Sequence, residues 1–223
     1  MTVPFIVISS SRAGVGKTTL AFNLVTALLQ DGYRVGIYSN EAVSFLQKRE
    51  ALSQKNPNLK MPKAISKADL FAKKNSDCTV MVVDVPTTDN SEFADVFSQA
   101  HTLITIAQNK QDIDWQFSDS YLNLIWQTKK NQAAAGIKCL NWVVVKNNWP
   151  SVETDWVDFS EKQAKRFGFR CAPALENREV YAHIANGYGA ADLVNSKTLK
   201  MAMDDVYARR ELLVLADFMW QHK

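Results

Sequence analysis

A chain of 223 residues that is 47% hydrophobic carries enough apolar material for one globular domain with a sizeable core, expected to span residues 1–223. Its 26 basic and 23 acidic side chains leave a formal charge of +3, too mild to demand a nucleic-acid partner and compatible with one. The scattered Cys78, Cys139 and Cys171 and the histidines His101, His183 and His222 argue against a zinc or iron–sulfur site and suit a reducing cytoplasm.

No apolar run approaches the roughly 18 residues of a membrane helix, and the apolar start lacks the length and basic lead-in of a secretion signal. That start, Val3 to Ile8, reads as a strand. A turn bearing Gly14 and Gly16 follows, and then Leu20, Leu24, Ala27 and Leu28 recur at helical spacing until Gly32 offers a stop. A second strand is predicted over Arg34–Tyr38 and a helix over residues 42–53. Gln54–Pro62 reads as a surface loop, and a short helix is predicted near Lys67–Lys73. Cys78 to Asp84 is a continuous β-branched run ending in a carboxylate, as in a strand buried on both faces. His101–Ala107 and Cys139–Val145 repeat the pattern with helices between. The alternation predicts an α/β fold: a mostly parallel twisted sheet with helices on both faces. A helix from about Asp114 should pack through Trp115, Leu122, Ile125 and Trp126. The last helix, about 199–221, carries Leu199, Met203, Val206, Leu213 and Trp220 in one apolar row and Leu212, Leu215 and Met219 in another. Its broad apolar face and few basic residues favour docking on the sheet over lying on lipid.

The first turn holds the most specific chemistry. In Ser10-Ser11-Arg12-Ala13-Gly14-Val15-Gly16-Lys17-Thr18-Thr19 a strand leads through glycines into a helix. Helix N-termini present N–H groups without intrahelical partners at a positive dipole end, so a polyphosphate satisfies both. Gly14 and Gly16 let the backbone approach phosphate oxygens, Lys17 reaches the outer phosphates, and the Thr18 hydroxyl is suited to the magnesium they carry. Strand, turn and helix together make this a nucleotide site of the P-loop NTPase type.

The motif departs from the ordinary pattern, which would put glycine at Ser11. It resembles the deviant Walker A of the ParA/MinD ATPases, Lys-Gly-Gly-x-Gly-Lys-[Ser/Thr]-Thr, with Arg12 at the signature lysine and Ala13 at the first glycine. The resemblance implies nucleotide contacts from residues Ala13, Gly14, Val15, Gly16, Lys17, Thr18 and Thr19, with Lys17 catalytic and Arg12 crossing a dimer interface to the partner's nucleotide. Asp84, in Val82-Val83-Asp84-Val85-Pro86, is similar to the Walker B aspartate, implying a magnesium site shared by Thr18 and, through water, Asp84; Thr87 and Thr88 stand where the family carries glycines. The family's Asp-x-Asp after the second strand corresponds to Ser39-Asn40-Glu41. Glu41 keeps the water-positioning carboxylate but adds a methylene, and misplacement by about an ångström can cost on the order of 100-fold in rate.

Further on, Asn141-Trp142-Val143-Val144-Val145-Lys146-Asn147, Phe167-Gly168-Phe169-Arg170, Asn177-Arg178 and Tyr181 are similar to the MipZ branch of that superfamily. Asn109, Ile113-Asp114-Trp115 and Ala208-Arg209-Arg210-Glu211-Leu212 add to it. The resemblance implies that Asn147 bonds the adenine edge and that the Pro173 loop covers the ring. Lys162, Lys165, Arg166 and Arg170 form one basic group, and Lys197, Lys200, Arg209 and Arg210 a looser one. A charge run is usually a solvated face; the resemblance makes Lys162, Lys165, Arg166, Arg209 and Arg210 candidates for non-specific DNA contact. The implied protein is a slow ATPase using ATP and Mg2+, an ATP-dependent homodimer in the cytoplasm or on the nucleoid, with a ParB-like protein and an FtsZ-type division protein as expected partners. It would regulate division-site placement or partitioning. Two other classes stay open: a nucleotide-binding module with impaired hydrolysis, favoured by Arg12, Ala13, Ser39 and Glu41, and an ATP-dependent ligase on the same scaffold.

Overall fold

The computed structural model describes residues 3–72, 75, 77–87, 93–109, 111–112, 119–137, 139–149, 155–193 and 203–221. Eight strands, β1 (Phe5–Ser9), β2 (Val35–Tyr38), β3 (Lys63–Ala64), β4 (Val80–Asp84), β5 (Ala100–Ala107), β6 (Asn141–Trp149), β7 (Arg170–Cys171) and β8 (Leu175–Glu176), form one sheet in the order β3-β2-β4-β1-β5-β6-β7, with β8 also paired to β6. Every pairing is parallel. The helices are α1 (Lys17–Gln30), α2 (Val43–Lys55), α3 (Ala94–Gln99), α4 (Asp119–Ala134), α5 (Asp155–Phe167), α6 (Ala190–Leu193) and α7 (Met203–Trp220).

Side chains alternate across a strand, and the two cores follow that alternation. Ile6, Ile8, Val80, Val82, Val143 and Val145 face one side, where α1, α6 and α7 cover them. Phe5, Val7, Met81, Val83, Trp142 and Val144 face the other, with Val96 and Phe97 of α3 and Tyr121, Leu122 and Ile125 of α4. Each such buried aliphatic side chain contributes about 1.5–3 kcal/mol relative to exposure. Covering on both faces explains why the strands read as unbroken apolar runs.

Helix α1 is buried from Leu20 to Leu29 because it lies between the sheet and α6 and α7. It ends where Gly32 takes φ +92°, with the Gly32 N–H bonding the Leu29 carbonyl and the Tyr33 N–H that of Leu28. That double bond is the Schellman arrangement, which requires a left-handed residue just past the helix. Close to α1, a Cβ on Gly189 would stand 1.9 Å from Thr26 Oγ1, so only glycine permits this approach of α6.

A buried ion pair fixes α2. Arg49 and Asp192 have side chains 0% and 2% exposed and meet at 2.5 Å. The guanidinium also donates to the Lys60 and Gly187 carbonyls, while Asp192 accepts from Gln30 and the Gly189 N–H. A second buried network crosses the other face: Trp142 Nε1 donates to Thr105 Oγ1 at 2.9 Å, Thr105 meets the Tyr121 hydroxyl at 3.0 Å, and Tyr121 bonds Ser9.

Three sequence expectations need correction. The short helix near Lys67 is a single 3-10 turn over Lys67–Asp69. Trp126 is exposed while Leu122 and Ile125 are buried, because Trp126 sits one residue past the sheet-facing row of α4. Of the two rows expected in α7, Leu212, Leu215 and Met219 are buried with Ala208 and Ala216, whereas the other row packs on the core through Trp220 and leaves Met203 64% exposed. The helix packs on α1 and α6 and reaches the sheet at β8. Among the described residues no helix is long and apolar enough to cross a membrane. Lys73, Thr88, the Ile113-Asp114-Trp115 stretch, Lys197, Leu199, Lys200 and His222 lie outside the described residues.

Candidate nucleotide and metal site

The sheet order puts β1 between β4 and β5, so the connections leaving β1 and its neighbours diverge at its C-terminal end. Open parallel sheets form their ligand crevice at such a point. Here the turn after Ser9 opens into α1. Gly14 and Gly16 take φ of +77° and +91°, a region that disfavours any residue with a Cβ. No side chain caps α1 and no acidic residue occupies its first turn, so its leading N–H groups and positive dipole end are left for an anion.

Lys17 is 5% exposed, and its ammonium donates to Thr87 Oγ1 at 2.8 Å. A nearly buried cation with a neutral partner is poised for an anion. Beside it, Thr18 Oγ1 lies 2.7 Å from Asp84 Oδ2 and 2.8 Å from Glu41 Oε2. Ser39 donates to the same Asp84 oxygen at 2.6 Å and accepts from the Ala42 N–H, which fixes the start of α2. Burial raises the Asp84 carboxyl above its ordinary value; the Ser39 and Thr18 hydroxyls and Lys17 pull the other way, and Glu41 adds to the rise. Asp84 is 3% exposed, yet among the described residues its Oδ1 has no hydrogen-bond partner. An orphaned buried carboxylate oxygen beside a hydroxyl fits a hard divalent cation. Among the described residues no group of three or more His, Cys, Asp or Glu is placed to hold a metal, and Thr18 and Asp84 are the pair that would hold a cation beside phosphate oxygens.

Arg12 makes an ion pair within the chain, with Asp112. Its side chain is 47% exposed whereas that of Asp112 is 0% exposed. Asp112 also accepts from the Gln108 N–H at 2.7 Å, and its own N–H bonds Asn109 Oδ1. Sequence reasoning missed Asp112. The only signal was its place between Asn109 and Ile113, two points of family resemblance.

A cleft of about 230 Å³ opens beside Gly16 and Thr19, walled by Gln108, Asn147, Glu176 and Tyr181 among others. Asn147 Nδ2 donates to the Val15 carbonyl at 2.9 Å, and a Cβ on Gly16 would stand 2.6 Å from that nitrogen. The strand-end amide therefore braces the phosphate turn. Pro173 is exposed and stands outside the cleft lining. In the cleft wall, Arg178 pairs with Glu176, Asp204 and Glu211, and the Tyr181 hydroxyl donates to Glu211 at 2.7 Å. Burial, reinforced by the Glu211 carboxylate, holds the Tyr181 phenol well above its usual range.

The basic residues do not form one patch. Lys162, Lys165 and Arg166 are exposed on α5, which packs through Ala164 and Phe167 on the Trp142 side of the sheet. Half-buried Arg209 and exposed Arg210 lie on α7, on the opposite side. Arg170 is engaged with the Asn141 side chain and the Phe218 carbonyl.

The chain matches the family model of ATPase MipZ over residues 40–219, well beyond half its length. It belongs to the MipZ ATPase family. The matched span includes Glu41, Asp84, Asn147 and the α7 residues of this family member and begins after the phosphate turn. Among solved structures the chain is similar to the MinD cell division protein of Aquifex aeolicus, at 15% identity and a TM-score of 0.64, covering 99% of this chain and 98% of that one. It is similar to McdA of Cyanothece, solved as a complex with ATP, at 14% identity and a TM-score of 0.60 over 99% and 98% of the two chains. Cobyrinic acid a,c-diamide synthase of Mycobacterium smegmatis, solved with an ATP analogue and magnesium, matches at 14% identity and a TM-score of 0.59 over 100% and 97%. At these identities the likeness establishes the fold, the α/β architecture of ParA/MinD-type NTPases. No curated protein sequence matches the chain significantly.

Proposed function

We propose that this MipZ-family protein binds ATP with Mg2+, closes as a nucleotide-sandwich homodimer, and hydrolyses ATP slowly to time its own release, in the service of division-site placement or chromosome or plasmid partitioning. The observation that carries the reading is the convergence of Lys17, Thr18 and the orphaned Asp84 oxygen at the uncapped start of α1. The turn from Ala13 to Thr19 cradles the phosphates, Asn147 and the cleft beside it take the base, and the Pro173 loop is the covering segment. Lys17 leaves Thr87 for the outer phosphates. Thr18 and, through water, Asp84 would hold Mg2+, which would supply charge neutralisation of those phosphates. Glu41 orients the attacking water, and its extra methylene keeps turnover at or below the low end of ordinary enzymes.

Arg12 acts in trans on the partner's phosphates, its planar fork gripping where the family's lysine acts as a point charge. ATP favours the dimer only as far as it contacts the dimer better than the monomer. Lys162, Lys165, Arg166, Arg209 and Arg210 hold duplex DNA without base readout, and the nucleoid, a ParB-like protein and an FtsZ-type protein are the corresponding partners. The separation of the α5 and α7 basic groups suits a dimer that presents several sites to DNA. Ser39 and Glu41 favour a second reading, a nucleotide-binding module with impaired hydrolysis.

The test is light scattering with ADP, ATP and a non-hydrolysable analogue, beside calorimetry of wild type and Lys17→Ala. Dimers with ATP and the analogue alone, and loss of ATP binding in Lys17→Ala, are expected. Equal ATP affinity of the two proteins overturns the site assignment. A monomer under all three nucleotides overturns the sandwich.

A further inference from the structure

Two carboxylates converge on one hydroxyl at the foot of α1. Thr18 Oγ1 is within 2.8 Å of Glu41 Oε2 and 2.7 Å of Asp84 Oδ2, but a hydroxyl carries one hydrogen. One carboxylate therefore always faces the oxygen's lone pairs. Ser39 supplies a second hydrogen to Asp84 Oδ2, and Asp84 Oδ1 receives none among the described residues. The cluster holds more negative acceptors than donors, in a place where Asp84 is 97% withdrawn from solvent by its 3% exposure. An all-oxygen set with surplus negative charge suits a small hard dication.

The length of Glu41 decides the contact. A carboxylate one methylene shorter would hold its oxygens farther from Thr18, because the Ser39–Ala42 bond pins the backbone at the start of α2. Ser39 works in the same direction. An acid at position 39 would add a third negative charge against buried Asp84, whereas the serine hydroxyl donates to it.

We propose that Glu41 is itself a ligand of the divalent cation, completing a Thr18–Asp84–Glu41 oxygen set that takes up Mg2+ or Mn2+ before nucleotide arrives. The proposal rests on the ATPase reading and adds an order of binding to it: cation first, then phosphates drawn to a site already carrying positive charge. Two carboxylates and a hydroxyl leave positions for water, as Mg2+ prefers, so nucleotide-free binding should be weak, with a dissociation constant of roughly 0.1–1 mM. Holding the cation then competes with orienting the attacking water for the same Glu41 carboxylate, which adds to the slow turnover.

The experiment is a Mn2+ titration of nucleotide-free protein, read by the electron paramagnetic resonance signal of free Mn2+, for wild type, Glu41→Gln and Glu41→Asp. Glu41 is exposed, so the fold should tolerate both changes, and circular dichroism verifies it. Wild type should bind one Mn2+ per chain, and each variant about tenfold more weakly or worse. Glu41→Asp should also hydrolyse ATP faster than wild type. Absence of nucleotide-free Mn2+ binding in wild type, or unchanged affinity in Glu41→Gln, overturns the proposal. ATP binding with Mg2+ is measured in parallel: if it persists while Mn2+ uptake fails, only this inference falls. If Mn2+ binds and ATP does not, it is the ATPase reading that falls.

Discussion

Two arginine–aspartate pairs, Arg49–Asp192 and Arg12–Asp112, look alike in chemistry and differ in what surrounds them. In the first, both side chains are buried, and carbonyls and amides serve every remaining donor and acceptor. In the second, the aspartate is wholly buried and the guanidinium is half in water. A buried pair is strongly destabilising to break because one charge is left without its partner. A half-wet pair can open at its solvated end, since water takes over the released guanidinium. The first therefore fastens α2 to α6, while the second holds Arg12 less firmly.

Asp192→Ala should have the largest effect. It strands Arg49 in the core and should cost about 3–5 kcal/mol, a fall in melting temperature on the order of 10 °C by thermal unfolding. A melting temperature unchanged within about 2 °C would show that the buried pair does not fasten α2.

Arg12→Ala comes next. Asp112 stays buried but keeps the Gln108 N–H, so the stability loss should be smaller, about 1–2 kcal/mol. Its main effect should be functional: ATP binding retained by calorimetry, ATP-dependent dimerisation and hydrolysis lost, and both partly restored in Arg12→Lys. Undiminished dimerisation of Arg12→Ala with ATP would reduce Arg12 to a tie between two loops.

Lys17 sharpens the comparison, being a buried cation whose described partner is the neutral Thr87. Thr87→Ala removes a contact that competes with phosphate, so ATP should bind about two- to fivefold more tightly, in line with a net hydrogen bond of about 0.5–1 kcal/mol. Weaker binding in isothermal titration would make Thr87 part of the phosphate site instead.

The smallest effect concerns Asp84, a buried acid without an arginine. Its folded-state value lies above the ordinary 3.8, chiefly through burial. Between 3.8 and that raised value the folded protein holds more protons than the unfolded chain, so stability should fall as pH rises through this window and then level off. Asp84→Asn should flatten the profile and leave the metal-free protein slightly more stable at neutral pH. A profile of melting temperature against pH that is the same in both proteins would mean that Asp84 is well solvated.

The sheet was readable because strands buried on both faces leave continuous β-branched runs, and Asp84 at such a run's end marks the ligand side. The turn from Arg12 to Thr19 was readable because glycines, Lys17 and Thr18 have to be adjacent in the chain to be adjacent in space. Arg12's pairing with Asp112, across 100 positions, leaves no local trace. The reach of Glu41 to Thr18 depends on how Ser39 pins the start of α2, which is likewise set by folding. In α7 two apolar rows compete, and Ala208 and Ala216 are buried in the core with the row of Leu212 and Leu215. Small residues, which the hydrophobic count undervalues, are part of that docking face.

The buried chain from Trp142 through Thr105 and Tyr121 to Ser9 has an optical consequence. Trp142 is 1% exposed and its indole N–H is fixed on Thr105, so its emission should be blue-shifted and resistant to aqueous quenchers. Ser9 is the last residue before the phosphate turn. A rearrangement of that turn on loading would move the far end of the same hydrogen-bonded chain and change the polarity felt by the indole. In a variant that keeps Trp142 alone of the six tryptophans, stopped-flow emission would follow occupancy of the first loop in real time without a label.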